Sequence, residues 1–281
     1  MYDIKMIVTD FDDTFYSLKP GGSWLADNTE ALNEARHAGI AVYPCSGRPW
    51  PQAATLIAQF NFNNLCVTDN GAAIVNMESS EAIYQDCISS DAVKAVLLIA
   101  ERYGLIAQLS SSKHIGAYVP YSINPEEYSR RTTASMNTNK YAFNLYHSIE
   151  EAYEDNKETC LLVRYVIESD AFSQSIEKDL SILTDVEFTW SHVTRMDIMA
   201  NGVNKGAGLI KLAEMVGIDL ENIMALGDAK NDASMLRLAG LGVAMGEATD
   251  ITKEAADYIS DLTENSGFAK AVRKFALGKK D

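Results

Sequence analysis

Met6-Ile7-Val8-Thr9-Asp10-Phe11-Asp12-Asp13-Thr14 is the stretch on which the fold turns. An apolar run from Ile4 to Thr9 stops abruptly at three acids within four residues. That is the pattern of a parallel strand buried on both faces, its carboxyl end opening into a polar loop. The pattern recurs outward from it. Ile40 to Cys45 stops at Ser46-Gly47-Arg48-Pro49, and Leu65 to Thr68 stops at Asp69-Asn70-Gly71. Ile223 to Leu226 runs into Gly227-Asp228-Ala229-Lys230-Asn231-Asp232, and Leu241 to Met245 is closed by Gly246. Helical segments separate these strands. Asp27 and Glu30 have capping-box spacing ahead of Leu32 and Ala35, with Gly39 as the stop. Leu209, Ile210, Ala213 and Val216 predict a helix from Lys205 that ends at Gly217.

Strand and helix alternate in both outer segments, which predicts an α/β fold: a Rossmann-like, doubly wound, mostly parallel sheet with helices on both faces. In such sheets ligands bind beyond the carboxyl ends of the strands, where every polar cluster quoted above falls. The middle reads differently. A helix over Asp91 to Tyr103, a Ser-rich loop at Ser110 to Ser112, and strands within Thr159 to Ile167 and Val186 to Trp190 describe an inserted α+β unit. The expected division is a core of 1–82 plus 195–281 and an insertion of 83–194.

The 281 residues are 47% hydrophobic and 22% charged, an ordinary globular composition. Lys and Arg number 24 against 39 Asp and Glu, and a formal charge of -15 repels nucleic acid and anionic membranes. No apolar stretch reaches the roughly 18 to 20 residues of a membrane span. Cys45, Cys66, Cys87 and Cys160 are scattered without metal-ligand spacing and read as reduced, mostly buried thiols of a cytoplasmic protein. The oligomeric state stays open between monomer and dimer.

Asp10 and Asp12 stand two apart beyond a strand end, where a loop can aim both carboxylates into one cleft. Clustered carboxylates raise each other's pKa unless a cation sits among them. With oxygen donors alone, the expected cation is Mg²⁺. Asp228 and Asp232 repeat the placement at a second strand end. Lys205 opens a helix, where a cation opposes the macrodipole unless an anion faces it. Ser46-Gly47-Arg48 offers a hydroxyl and unhindered N–H groups for phosphate oxygens. Read singly, each of these is also an ordinary turn, cap or surface residue.

Taken in order, Asp10-Phe11-Asp12-Asp13-Thr14, Ser46-Gly47-Arg48, Asn204-Lys205-Gly206 and Gly227-Asp228 with Asn231-Asp232 resemble the four signature motifs of the haloacid-dehalogenase-like (HAD) phosphatases. Thr68-Asp69-Asn70-Gly71-Ala72, Gly242 to Gly246 and Ala256-Asp257-Tyr258-Ile259 before Gly267-Phe268-Ala269 look like the Cof-type subfamily, which carries an α/β cap between its second and third motifs. The resemblance implies a Mg²⁺-dependent phosphatase acting on a small phosphate ester, sugar phosphates first. Asp10 matches the nucleophile that becomes an aspartyl-phosphate. Asp12 matches the general acid and base, its backbone carbonyl meeting the metal. Asp10 and Asp228 match the carboxylate ligands, and Asp232 a supporting residue. Ser46, Gly47, Lys205 and Asn231 match the phosphate-holding positions. Two departures stand out: Asp13 where the family has Gly, and Glu247 where the subfamily often has Asn. His114, Tyr118, Tyr121, Arg130, Arg131, Arg164, Tyr165, Trp190 and His192 are the cap's candidates for the leaving group, with either Arg164 or Tyr165 expected to line the cleft. The competing readings are a phosphosugar mutase of the same superfamily, a phospho-acceptor signalling module, and a non-catalytic phosphosugar-binding protein.

Overall fold

Successive residues of β1 (Met6–Thr9) feed opposite faces of one sheet, as the two-residue period of a strand requires. The protein is described by a computed structural model covering residues 2–17, 23–111, 114–120, 123–124, 142–167 and 170–279. Strand β1 lies between β2 (Ala41–Pro44) and β12 (Ile223–Gly227). Beyond them, β13 (Leu241–Ala244) and β14 (Tyr258–Ile259) complete a five-stranded sheet in which every pairing is parallel. Met6, Val8, Ile223 and Ala225 pack under Leu209 and Leu212 of α6 (Lys205–Val216) and Met235 and Leu236 of α7 (Ala233–Leu238). Ile7, Val42, Met224 and Leu226 pack on the other face under Leu32 of α1 (Ser23–His37), Ala53 of α2 (Trp50–Ile57) and Phe268 of α9 (Gly267–Ala271). A fully buried side chain of this size contributes roughly 1.5–3 kcal/mol, so two filled faces hold the sheet. The expected doubly wound architecture is present.

Strand β3 (Leu65–Thr68) extends the parallel sheet only through a bridge between Cys45 and Val67. It then turns back into an antiparallel sheet with β4 (Ala73–Asn76) and β5 (Glu81–Gln85). A second layer holds β6 (Ile106–Ser110), β7 (His114–Tyr118), β8 (Ala142–Tyr146), β9 (Leu162–Val166), β10 (Val186–His192) and β11 (Arg195–Ala200), in the order β10-β11-β9-β6-β7-β8. All its pairings are antiparallel except β7 with β8. Helices α3 (Ser90–Tyr103), α4 (Ile149–Asn156) and α5 (Ser173–Leu180) cover one face of this layer, with Val93, Leu97, Ile176 and Leu180 against Leu109, Val163, Tyr165 and Ile198. The other face looks towards the carboxyl ends of the parallel strands. Helix α8 (Asp250–Ala255) completes the described α-helices.

The capping box expected at Asp27 is not there. Helix α1 begins at Ser23, so Asp27, Glu30 and Glu34 are interior positions on one helical stripe. Their carboxylates collect on the guanidinium of Arg273, at 2.5, 3.3 and 3.0 Å respectively. Cys45, Cys66 and Cys160 are buried, Cys87 is half-buried, and all four are free thiols. No helix among the described residues is long and apolar enough to cross a membrane.

Candidate active site

The loop after β1 is fixed by its phenylalanines. Phe11 and Phe15 are fully buried, and the Phe15 ring meets Phe60, Phe62 and Phe268 edge-on at 4.9, 4.9 and 5.1 Å between centroids. Each such pair adds about 0.5–1.5 kcal/mol beyond its buried area. With these rings turned inward, Asp10, Asp12 and Asp13 line a cavity of about 480 Å³ at the carboxyl ends of β1, β2 and β12. These central strands carry connections that leave in opposite directions, the crevice where such sheets place ligands.

Asp10 and Lys205 meet at the floor. The Lys205 ammonium, 1% exposed, donates to Asp10 Oδ1 and to Asp232 Oδ1, each at 2.5 Å. The anions that face this helix-opening lysine are therefore carboxylates of the chain itself. Burial pushes the Asp10 carboxyl well above the usual carboxylate range; Lys205 opposes that, while Asp232, Asp228 and Asp12 add to it. Burial works against the Lys205 charge, but Asp10 and Asp232 outweigh it and raise the ammonium well above its ordinary value. Asp232 spends its second oxygen on the Asp228 and Ala229 N–H groups, both at 2.9 Å. Gly227 makes that approach possible, since a Cβ there would lie 2.4 Å from the Asp232 Cβ. Asp228 accepts from the Thr14 hydroxyl at 2.9 Å, and burial, followed by the Asp232 charge, pushes it up to about 7.

Acceptor oxygens of Asp10, Asp228 and Asp232 lie within 4.8 Å of one another. Asp10 Oδ2 and Asp228 Oδ2 carry no hydrogen bond among the described residues, nor does the backbone carbonyl of Asp12. Free oxygens from two strand ends fit a hard divalent cation, and no nitrogen or sulfur donor intrudes. The Asp12 carboxylate itself is turned elsewhere. Arg48 grips it with two bonds, Nε to Oδ2 at 2.7 Å and Nη2 to Oδ1 at 2.6 Å.

Gly47 and Asn231 line the cavity, whereas Ser46 is fully buried beneath it and accepts from the Arg48 N–H at 3.0 Å. The absence of a side chain at Gly47 is required, because a Cβ there would come within 2.8 Å of Asn70 Oδ1. That oxygen accepts from Asn231 at 2.8 Å, and Asn70 in turn donates to Asp197 at 2.7 Å. Asn70 holds a left-handed backbone, φ 55°, as do Asp69 at 52° and Gly71 at 102°. A side chain at Gly71 would meet the Asn204 carbonyl at 2.2 Å, so the tight turn is what lets α6, and Lys205 with it, approach the sheet.

The second layer supplies the opposite wall. Asp197 of β11 sits directly across from Arg164 of β9, and the two pair at 2.5 and 2.9 Å, both buried. Arg164 also donates to the Gly47 carbonyl at 3.1 Å. Strand alternation decides between the neighbours: Arg164 lines the cavity, while Tyr165 points to the helical face and its hydroxyl donates to the Val96 carbonyl. Of the other expected contacts, His192 lines the cavity. Trp190 binds Glu177, His114 binds Ser111, and Tyr118 is buried in the second layer's core, so none of these three lines it. Tyr121, Arg130 and Arg131 lie outside the described residues.

Several contributors escaped the sequence reading: Asn70, Asp197, Arg195 and Asp69. Asp69 is fully buried, accepts from Ser110 at 2.5 Å, and is pushed up to about 7 by burial against that bond. The positive-φ signature Asp-Asn-Gly was the available signal for two of them. The departures are explained locally. Asp13 adopts φ 54°, a region where Gly is unpenalised and Asp is among the next best tolerated residues, and its side chain is exposed at the rim. The Glu247 carboxylate caps the Thr263 N–H with both oxygens, at 3.0 and 3.1 Å.

The chain is 30% identical over 277 residues to the 5-amino-6-(5-phospho-D-ribitylamino)uracil phosphatase YcsE of Bacillus subtilis (strain 168), covering 98% of this chain and 97% of that one. It is 26% identical to the pyridoxal phosphate phosphatase YbhA of Escherichia coli (strain K12), covering 93% and 95%. The solved structure of the HAD subclass IIB sugar phosphatase BT4131 superposes with a TM-score of 0.79 at 25% identity, over 97% of this chain and 99% of that one. The family model of the haloacid dehalogenase-like hydrolases matches residues 7–272, and the chain belongs to that family.

Proposed function

We propose that the chain is a Mg²⁺-dependent phosphoric monoester hydrolase for small phosphorylated metabolites, sugar phosphates first and cofactor phosphates next, working through an aspartyl-phosphate. The observation that carries the reading is the convergence on one cavity of Asp10, Lys205, Asp228 and Asn231, from three separate places in the sequence. The relatives support a small ester, since their names specify a phosphoribityl uracil, pyridoxal phosphate and sugar phosphates. On this reading residues 1–85 and 201–281 form the catalytic core and the six-stranded layer is its cap. The hairpin through β5 and the place of β11 in the cap sheet favour these limits over 82 and 195. The charge of -15 favours neither nucleic acid nor membrane as partner and is compatible with a cytoplasmic enzyme.

Asp10, Asp228 and the Asp12 carbonyl would hold Mg²⁺, which neutralises charge on the phosphoryl oxygens. Ser46, Gly47, Lys205 and Asn231 donate to those oxygens; the Ser46 hydroxyl, which accepts from Arg48, keeps its proton for this purpose. An Asp10 oxygen attacks phosphorus as the ester P–O bond breaks, and the leaving alkoxide takes a proton from Asp12. Water then attacks phosphorus, its proton passes to Asp12, and the Asp10–P bond breaks. Before the first step Asp12 must exchange Arg48 for a proton, and the arriving phosphate is the competing partner for that guanidinium.

Asp12→Asn tests the assignment through the leaving group. Its kcat/KM is expected to fall about 10²–10⁴-fold on alkyl phosphates and far less on 4-nitrophenyl phosphate, whose leaving group needs no proton, while kcat falls on both because the aspartyl-phosphate loses its general base. Equal losses of kcat/KM on both would reduce Asp12 to a partner for Arg48.

A further inference from the structure

Among the described residues four cations reach the cavity, and three of them are already paired. Lys205 holds Asp10 and Asp232, Arg48 holds Asp12, and Arg164 holds Asp197. The fourth is Arg195, the first residue of β11, which lines the cavity from the cap side. Among the described residues it makes no ion pair and no side-chain hydrogen bond. Strand register puts it on the same sheet face as Asp197, two residues along, and across from His192 on β10. Arg195 is exposed to solvent, and desolvation at the cavity together with the like charges of Arg164 and Arg48 pulls its pKa below that of an ordinary arginine, against the opposing charges of Asp197 and Asp12. On the same hairpin the Ser191 hydroxyl lines the cavity, and its oxygen is buried without a partner. A guanidinium without a carboxylate partner, repelled by Arg164 and Arg48 and lining the same cavity as an unsatisfied buried hydroxyl, is a place where an anion would be favoured.

The transferring phosphoryl group does not need to be that anion, because the donors assigned to it sit on the core side. We infer that Arg195, with Ser191 and His192, binds a second anionic group on the leaving-group side of the ester, so that the preferred substrates are phosphomonoesters bearing a carboxylate or a second phosphate. This rests on the phosphatase reading above and narrows it to a substrate class.

The test compares matched pairs: 6-phosphogluconate against glucose 6-phosphate for the carboxylate, and fructose 1,6-bisphosphate against fructose 6-phosphate for the second phosphate. Wild-type kcat/KM is expected to favour the more anionic member of at least one pair by roughly 10- to 100-fold, the range for a hydrogen-bonded charge. In Arg195→Gln that ratio is expected to fall to about one, mainly through KM, and Arg195→Lys to restore part of it. A wild-type ratio at or below one in both pairs overturns the inference, as does a ratio unchanged in Arg195→Gln. Calorimetric titration of Asp10→Asn, with and without Arg195→Gln, reads the same ratios as affinities. If no ester is turned over, the phosphatase reading fails, and these affinity ratios still decide for or against Arg195.

Discussion

Asp10→Asn is expected to abolish phosphate release, with kcat reduced on the order of 10⁴-fold or more, and to leave the chain folded. The loss follows from the chemistry: an amide is no nucleophile for phosphorus, and the other carboxylates at the floor are committed elsewhere. Asp228 gives one oxygen to Thr14 and, in the proposed mechanism, the other to the metal, and Asp232 has both oxygens engaged. Retention of the fold follows from the electrostatics. Lys205 keeps Asp232 as its partner, and removing the Asp10 charge relieves its repulsion with Asp228 and Asp232. The metal-free variant should therefore melt no lower than wild type, so thermal denaturation beside the activity assay separates lost chemistry from lost structure. A folded Asp10→Asn protein with more than a few per cent of wild-type turnover would contradict the assignment.

Lys205→Met is the second large effect, and it falls first on stability. Methionine nearly matches the length of lysine, so the substitution isolates the charge. Lys205 is buried between two carboxylates that lose their shared cation together. Breaking a buried pair by removing one partner costs about 3–5 kcal/mol, much of what a domain has to spare. Urea denaturation should show that loss in metal-free buffer. Mg²⁺ is expected to recover more stability in Lys205→Met than in wild type, because it returns positive charge to Asp10 and close to Asp232. Denaturation midpoints equal to wild type with and without Mg²⁺ would mean that this ammonium does not hold the floor together.

The parallel core was legible because its strands obey simple rules. β1 alternates between two apolar faces and ends where the acids begin. Helix α6 starts at Lys205 and ends before Gly217 as its spacing predicts, the Asn204 side chain accepting from the Ala207 N–H and Gly217 turning left-handed. What stayed illegible depends on pairing over long separations. Asp27 carries the local spacing of a cap, yet its partner Arg273 is 246 residues away. The cap sheet hides a buried ion pair: the strand that carries Arg164 was legible within Thr159 to Ile167, but its partner Asp197 on β11 is fixed only by strand pairing. Arg195 looks in sequence like any surface arginine; only the register of β10, β11 and β9 places it over the cavity. The turn at Asp69-Asn70-Gly71 reads as a plain loop until Gly71 is seen against Asn204, because close backbone approach leaves no composition signal.

The most direct test of the central claim is phosphate release by the wild-type chain from a panel of metabolite phosphates, before chelation, after chelation, and after Mg²⁺ is restored. The metal-dependent mechanism predicts turnover that disappears with chelation and returns with Mg²⁺. Release that survives complete chelation, or none from any ester with Mg²⁺ present, would contradict it.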